Sequence, residues 1–251
     1  MAFTDTLVLG AIAGFTIFLG LPVAGLRTTA PRYLAFLNAI AIGILLFLFV
    51  EIMHAAAEPV EEALKEGSAA LSQLGVLLVL GFGLGLLSLV YYTRRVVVDP
   101  TASAARLALL IAAGIGLHNF SEGLAIGSSS QRGDLTLALT LVVGFGLHNI
   151  TEAFGIAAPL AGRPVGWRVL GLAGLIAGGP TFFGTIVGYS FTSEPLAVLF
   201  NALAGGALVF VIGELFAAGR RLSAPTWNGW GLTAGFFAAL LTDFALVAAG
   251  G

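Results

Sequence analysis

Two copies of a short polar motif carry the residues of this chain whose types and spacing favour metal chemistry. Each copy has a histidine, an asparagine directly after it and a glutamate four residues after the histidine, at His118, Asn119, Glu122 and at His148, Asn149, Glu152. On an α-helix, residues four apart lie one turn apart on one face, so each histidine can meet a cation together with its glutamate. Both copies lie inside long apolar runs, where such groups are costly to bury unless a cation meets them. The motifs therefore predict a buried cation site.

The chain contains no cysteine, so nitrogen and oxygen atoms must hold any metal at this site. These ligands suit zinc, iron(II), manganese or cobalt and argue against copper(I). Two carboxylates and two neutral imidazoles would give one divalent cation four ligands and leave the filled site without net charge, as a low-dielectric environment requires. The alternative is a cluster of hydrogen bonds that only holds helices together, which is a common use of polar residues in membranes.

Composition identifies the environment of the chain as a lipid bilayer. Of the 251 residues, 58% are hydrophobic and 10% are charged, whereas a soluble domain has about 25% charged residues. The mean hydropathy is +1.02. The net charge is −2 and basic residues form no run, so the chain offers no surface for nucleic acid. We therefore expect a multi-pass protein of the cell membrane.

Eight apolar stretches are long enough to cross the hydrocarbon core as helices. They are Leu7–Leu26, Tyr33–Ala55, Ala70–Tyr92, Ala104–Ser128, Leu135–Leu160, Trp167–Tyr189, Leu196–Ala218 and Trp230–Ala249. Short connections separate these stretches. The sequence thus predicts an all-α integral membrane protein with one transmembrane domain over residues 1–251.

The distribution of basic residues predicts the orientation. The loops after the odd-numbered helices, with the adjoining helix ends, carry nine arginines, at Arg27, Arg32, Arg94, Arg95, Arg106, Arg163, Arg168, Arg220 and Arg221. The opposite side carries only Lys65 and Arg132. Because cytoplasmic loops are enriched in basic residues, we expect both termini to be extracytoplasmic. The acidic segment Glu58–Glu66 would then form a short surface helix on the outer side.

A repeat at larger spacing relates the two ends of the chain. Helices 2 and 7 align at an offset of 163, which pairs Asn38 with Asn201, Gly43 with Gly206, Phe47 with Phe210 and Glu51 with Glu214. Helix 1 matches helix 6 more weakly, through Ile12-Ala-Gly14 and Ile176-Ala-Gly178. Because the copies lie an odd number of helices apart, they cross the membrane in opposite directions. This predicts helices 1–3 and 6–8 as inverted repeats around the antiparallel pair 4 and 5, an architecture typical of secondary transporters.

Three further residues are predicted to lie along the path of a cation: Glu51, His54 and Glu214. Glu51 and Glu214 end helices that run in opposite directions, so we expect one near the outer surface and the other near the inner surface. The alternative for both is an ordinary charge at the water interface. Asp243, Asn38 and Asn201 are interpreted as packing or interface residues.

The stretches His118–Gly123 and His148–Glu152, with the glutamates that end helices 2 and 7, resemble the ZIP (Zrt/Irt-like) metal transporters, particularly their bacterial zinc-uptake branch. The resemblance extends over most of the chain. It implies uptake of divalent transition metals into the cytoplasm, commonly by a homodimer, with the histidine, asparagine and glutamate of both motifs as ligands. The metal is then a transported substrate, and no separate cofactor is expected.

The chain departs from the family pattern at several positions. Ser121 and Thr151 stand where the family usually has proline before each motif glutamate, and Ala153 stands where it usually has glycine. Family members with a two-metal site resemble one another in a Glu-Pro pair of helix 6, and the matching pair here is Gly179-Pro180. With only the two motif glutamates to balance charge at the midplane, the sequence predicts one tightly held ion and only a weak second ion.

We interpret the chain as a transporter, not an enzyme, that works by alternating access. Its first candidate substrate is zinc, and iron(II), manganese, cobalt and cadmium are the others, since imidazoles favour borderline metals over magnesium and calcium. The alternative function is that of an intramembrane metal-dependent hydrolase, because catalytic zinc also uses His-x-x-x-Glu spacing. The function of such an enzyme would not explain the inverted repeats.

Overall fold

A computed structural model of the chain describes residues 2–25, 30–96, 103–133, 135–160, 162, 166–191 and 193–248. Regular structure in these residues is helical. We number eight segments so that each corresponds to the predicted helix of the same number. They are α1 Phe3–Gly25, α2 Pro31–Lys65, α3 Ala70–Val96, α4 Ser103–Gln131, α5 Leu135–Ala157, α6 Trp167–Ser190, α7 Glu194–Arg221 and α8 Pro225–Ala248.

The helices have the length and composition of membrane spans. Among the described residues, the segments α1 to α7 are long and apolar enough to cross a bilayer. The eighth, α8, has 24 residues, which at 1.5 Å per residue exceeds the roughly 30 Å of the hydrocarbon core. The predicted all-α membrane architecture is therefore confirmed.

The largest difference from the predicted boundaries lies at the end of α2. The segment Glu58–Glu66, expected as a separate surface helix, instead continues α2 as far as Lys65, and Pro59 lies inside this helix of 35 residues. Proline removes one backbone hydrogen bond from a helix, but it does not end this one. Because α2 spans roughly 50 Å, it is longer than the hydrocarbon core of a bilayer is thick.

Part of the evidence for orientation lies outside the described residues. This holds for Arg27 and Arg163, for the side chains of Arg94 and Arg95, and for the predicted helix ends Leu26 and Ala249. The placement of both termini therefore stays a prediction.

The helices α4 and α5 lie at the centre of the bundle. α4 packs against α6 and α7, α5 packs against α1 and α2, and α2 contacts α7. α8 packs on α2, and α3 packs on α7. The largest core cluster joins α2, α4, α5 and α7 through buried side chains that include Leu45, Ile111, Ile156 and Leu208. This arrangement holds both polar motifs in the middle of the bundle.

Several contacts between helices have a counterpart between the corresponding helices of the other predicted repeat. In the predicted repeat, α1, α2 and α3 correspond to α6, α7 and α8, and α4 corresponds to α5. The α2–α8 contact then corresponds to the α7–α3 contact, and both are present. Gly14 on α1 and Gly178 on α6 meet reciprocally, because a Cβ on either glycine would clash with the carbonyl oxygen of the other. Such paired contacts are what inverted repeats require, and the inverted repeat itself stays a prediction.

Candidate metal centre

Each motif places its histidine and glutamate on one face of a central helix. His118 Nε2 lies 3.4 Å from Glu122 Oε1 on α4, and His148 Nε2 lies 3.6 Å from Glu152 Oε1 on α5. The one-turn spacing of the two residues within each helix produces this closeness. The prediction that each histidine meets its own glutamate agrees with these distances.

The two motifs also face each other across the bundle. The imidazole rings of His118 and His148 lie with their centroids 6.3 Å apart. Ligand atoms of His118, Glu122 and His148 all lie within 4.8 Å of one another. The ligands of a tetrahedral zinc ion lie about 3.4 Å from one another when each bond is about 2.1 Å. Small movements of side chains would bring these three groups onto one ion.

The polar atoms at this centre have few partners within the protein. In the described part of the chain, Glu122 Oε2, His148 Nε2 and both carboxyl oxygens of Glu152 are buried without a hydrogen-bond partner. Glu122 is 5% exposed and Glu152 is 0% exposed. A buried carboxylate without a donor is strongly unfavourable unless a cation or proton meets it. The centre therefore favours the binding of a cation or a proton.

The two asparagines form a hydrogen-bonded pair behind the centre. Asn119 Nδ2 donates to Asn149 Oδ1 at 2.8 Å and to the Ala177 carbonyl at 3.1 Å. Asn149 Nδ2 donates to the carbonyl of Ala13 at 2.9 Å. Asn119 Oδ1 is buried and has no hydrogen-bond partner among the described residues. Of the two predicted asparagine ligands, Asn119 thus has the more available oxygen, and Asn149 orients it.

Of the three residues predicted along the cation path, the structure places Glu51 and His54 on the wall of one cavity, described below. Glu51 was expected near the outer surface, but its Oε2 lies 3.9 Å from His148 Nε2. The reason is that α2 continues to Lys65, which leaves Glu51 roughly 20 Å short of the helix end. His54 lines the cavity described below, whereas Glu214 is exposed on α7 and does not line that cavity.

A cavity of about 710 Å³ leads to this centre. His118, Glu122 and His148 line its inner part, and Arg132, Phe191 and Glu194 line it where the connections after α4 and α6 reach the surface. Glu152 and the two asparagines of the motifs are not among its lining residues. The candidate centre is thus accessible from one side of the bundle.

Sequence reasoning missed two residues of this cavity. Asp243 and Asn201, interpreted as packing or interface residues, both line it. Asp243 lines the cavity together with Glu51, and Asn201 Oδ1 lies 2.6 Å from Ser121 Oγ. Asn38, in contrast, donates to the Leu215 carbonyl at 3.0 Å in the protein interior, as a packing residue should. The sequence does contain a feature that could have identified Asp243. It is an ionisable residue inside an apolar span, and such residues usually have a functional role.

Comparison with known families identifies the chain. A family model described as "ZIP Zinc transporter" matches residues 94–246, which is more than half of the sequence and includes both motifs. The chain belongs to the ZIP zinc transporter family. A search of curated proteins found no match.

Membership in the ZIP family decides between the two functions considered from the sequence. Members of this family are transporters and not enzymes, so the intramembrane hydrolase is excluded. The family resemblance noted from the two motifs is confirmed. Divalent metals are the substrates of such transporters, and His118, Glu122 and His148 are placed to form a metal site.

Proposed function

We propose that this ZIP protein carries a divalent transition-metal ion, with zinc as the first candidate, into the cytoplasm. The observation that carries the proposal is the convergence of His118, Glu122 and His148 at the inner end of an open cavity. Glu152 supplies the second negative charge beside His148, and Asn119 offers a further oxygen. Two imidazoles in the ligand set favour borderline metals over magnesium and calcium.

The direction of transport follows from the proposed orientation. With both termini extracytoplasmic, the connections after α4 and α6 lie on the outer side, so the cavity admits metal from outside. Inverted repeats that move relative to α4 and α5 would then close this cavity and open the inner side. A homodimer and a place in the bacterial zinc-uptake branch belong to the same proposal, and both rest on the family resemblance.

Removal of one central charge tests the proposed site. We expect Glu122→Gln to reduce zinc uptake into proteoliposomes at least about a hundredfold, because leaving a buried charge uncompensated costs about 3 kcal/mol or more. Glu62→Gln is the matched control, since Glu62 is an exposed carboxylate on α2. Uptake should be measured for zinc, iron(II), manganese, cobalt and cadmium. Full uptake by Glu122→Gln, with the control also active, would contradict the proposed site.

A further inference from the structure

On each central helix, the face that carries the metal ligands has a small residue on either side of them. On α4, Gly114 lies one turn before the motif histidine and Ala125 lies about one turn after the motif glutamate. On α5, the same positions hold Gly144 and Gly155. Residues three or four apart share a helix face. Because these residues have little or no side chain, any side chain that covers them must come from a neighbouring helix.

The cavity reaches only one of the two sides of the centre. Ala125 and Gly144 line it, whereas Gly114 and Gly155 are buried and are not among its lining residues. Glu152 does not line it either, and both of its carboxyl oxygens are buried without a hydrogen-bond partner in the described part of the chain. An ion held by Glu152 therefore has an open path on one side and a closed path on the other.

Two leucines close the other side. A Cβ on Gly155 would lie 3.6 Å from Leu45 Cδ2 of α2, and a Cβ on Gly114 would lie 3.6 Å from Leu208 Cδ2 of α7. Both leucines are 0% exposed and belong to the largest core cluster. Because these are ordinary van der Waals distances, each leucine fills the space over its glycine without overpacking.

The two leucines correspond to each other in the repeat predicted from the sequence. The offset of 163 that relates helices 2 and 7 also pairs Leu45 with Leu208. The offset between the two motifs relates the glycine under each leucine to a residue on the cavity wall. The corresponding contacts on the cavity side would place Leu45 over Gly144 and Leu208 over Ala125.

We propose that Leu45 and Leu208 are the gate of the transport path. In the described conformation they close the side of Gly114 and Gly155, and they cover the cavity side instead when the metal leaves. This inference rests on the proposed function, because a gate requires an ion that passes it. Apolar side chains at this position block the ion, since an apolar constriction excludes water and offers nothing to replace the water that hydrates a charge.

Thiol labelling of purified protein in detergent tests the gate, because the reagent then has access to both ends of the bundle and the chain has no cysteine of its own. We expect Ala125→Cys to react quickly and Gly155→Cys to react slowly. Adding Leu45→Ala and Leu208→Ala should raise the rate at Gly155→Cys at least about tenfold, because each truncation removes packing energy that exceeds a factor of ten. Leu74→Ala is the matched control, since Leu74 is a buried leucine of a different core cluster, and it should leave the rate unchanged.

Cross-linking provides a second test that removes no packing and therefore does not depend on the folding of the alanine variants. In Leu45→Cys/Gly155→Cys, we expect a short bifunctional thiol reagent, applied before zinc is added, to link the two cysteines. The link should stop zinc uptake into proteoliposomes until it is reduced, because the gate can no longer move. The two single cysteine variants, treated with the same reagent, are the controls and should keep their uptake.

Three results would each overturn the gate. The first is equally fast labelling of Gly155→Cys and Ala125→Cys when both leucines are present. The second is a rise in labelling with Leu74→Ala that equals the rise with the two gate truncations, and the third is full uptake by the cross-linked protein. Zinc uptake by the wild type would leave the proposed function intact in all three cases. A wild-type protein that takes up no divalent metal would instead overturn the proposed function, whatever the labelling rates.

Discussion

Ser121, the residue before Glu122, makes contacts that support the candidate metal site. The Ser121 hydroxyl lies 2.6 Å from the His118 carbonyl oxygen and 2.6 Å from Asn201 Oδ1. In the second motif, Thr151 Oγ1 donates to the His148 carbonyl at 2.7 Å. Hydroxyls that bond to the preceding helical turn bend helices slightly. These two side chains therefore shape the turn that carries each histidine.

This contact predicts a positioning role for Ser121. We expect Ser121→Ala to weaken zinc binding roughly tenfold, as the loss of groups that orient metal ligands does, while Ser121→Thr retains wild-type affinity. Competition with a chromophoric chelator measures the affinity, and the absorption spectrum of bound cobalt reports whether the ligand geometry has changed. Equal affinity and an unchanged cobalt spectrum in Ser121→Ala would argue against this role.

At the scale of the helices, small residues decide how closely α4 approaches α6. A Cβ on Gly184 of α6 would clash with the carbonyl oxygen of Phe120, and a Cβ on Gly123 of α4 would clash with that of Thr181. Phe120 and Gly123 flank the turn that carries Glu122. Because helices in membranes associate by close packing of small residues, the position of this ligand depends directly on the α4–α6 contact.

The close contact predicts opposite outcomes for two glycines of the same helix. Gly184→Ala should destabilise the protein by about 1–3 kcal/mol through overpacking and weaken zinc binding, because it moves α4. Gly171→Ala is the matched control, since a Cβ there meets no atom within 4 Å, and it should be neutral or slightly stabilising. Thermal unfolding in detergent, followed by fluorescence with and without zinc, measures both effects. If the two variants unfold alike, the close packing does not hold the site.

At the scale of the whole molecule, one cavity leads to a centre in the middle of the bundle. Its entrance lies beside the connections after α4 and α6, where Arg132 and Glu194 line it. The side of the membrane that this entrance faces decides whether the described conformation receives metal from outside or releases it inside. The nine-to-two distribution of basic residues predicts that the entrance faces the outer side.

Cysteine labelling tests this orientation on a chain that has no cysteine of its own. We expect cysteines placed at Glu62 and Glu194 to react with an impermeant thiol reagent in intact cells. A cysteine at Arg220, which is exposed at the opposite end of α7, should react only after the cells are permeabilised. The reverse pattern would turn the cavity toward the cytoplasm and reverse the proposed first step of transport.

The sequence alone determined the features that depend on local spacing and on the solvent. Apolar stretches of about 20 residues must form helices in a bilayer, because only a helix satisfies its backbone groups without water. Within those helices, a spacing of four residues was enough to bring His118 to Glu122 and His148 to Glu152. The family, the helical architecture and the closeness of each histidine to its glutamate all followed from these local rules.

Only the tertiary structure decided which helix faces meet. The approach of Glu51 to His148 depends on the contact of α2 with α5, and the place of Asp243 in the same cavity depends on the contact of α2 with α8. In a span that is apolar along its length, hydrophobicity does not identify the face that a neighbouring helix covers, because lipid and protein interior are similarly apolar. Close packing of small residues determines which helix faces meet, and the residues that pack together are far apart in the sequence. Asp243 was therefore interpreted as a packing or interface residue until the fold placed it in the same cavity as Glu51.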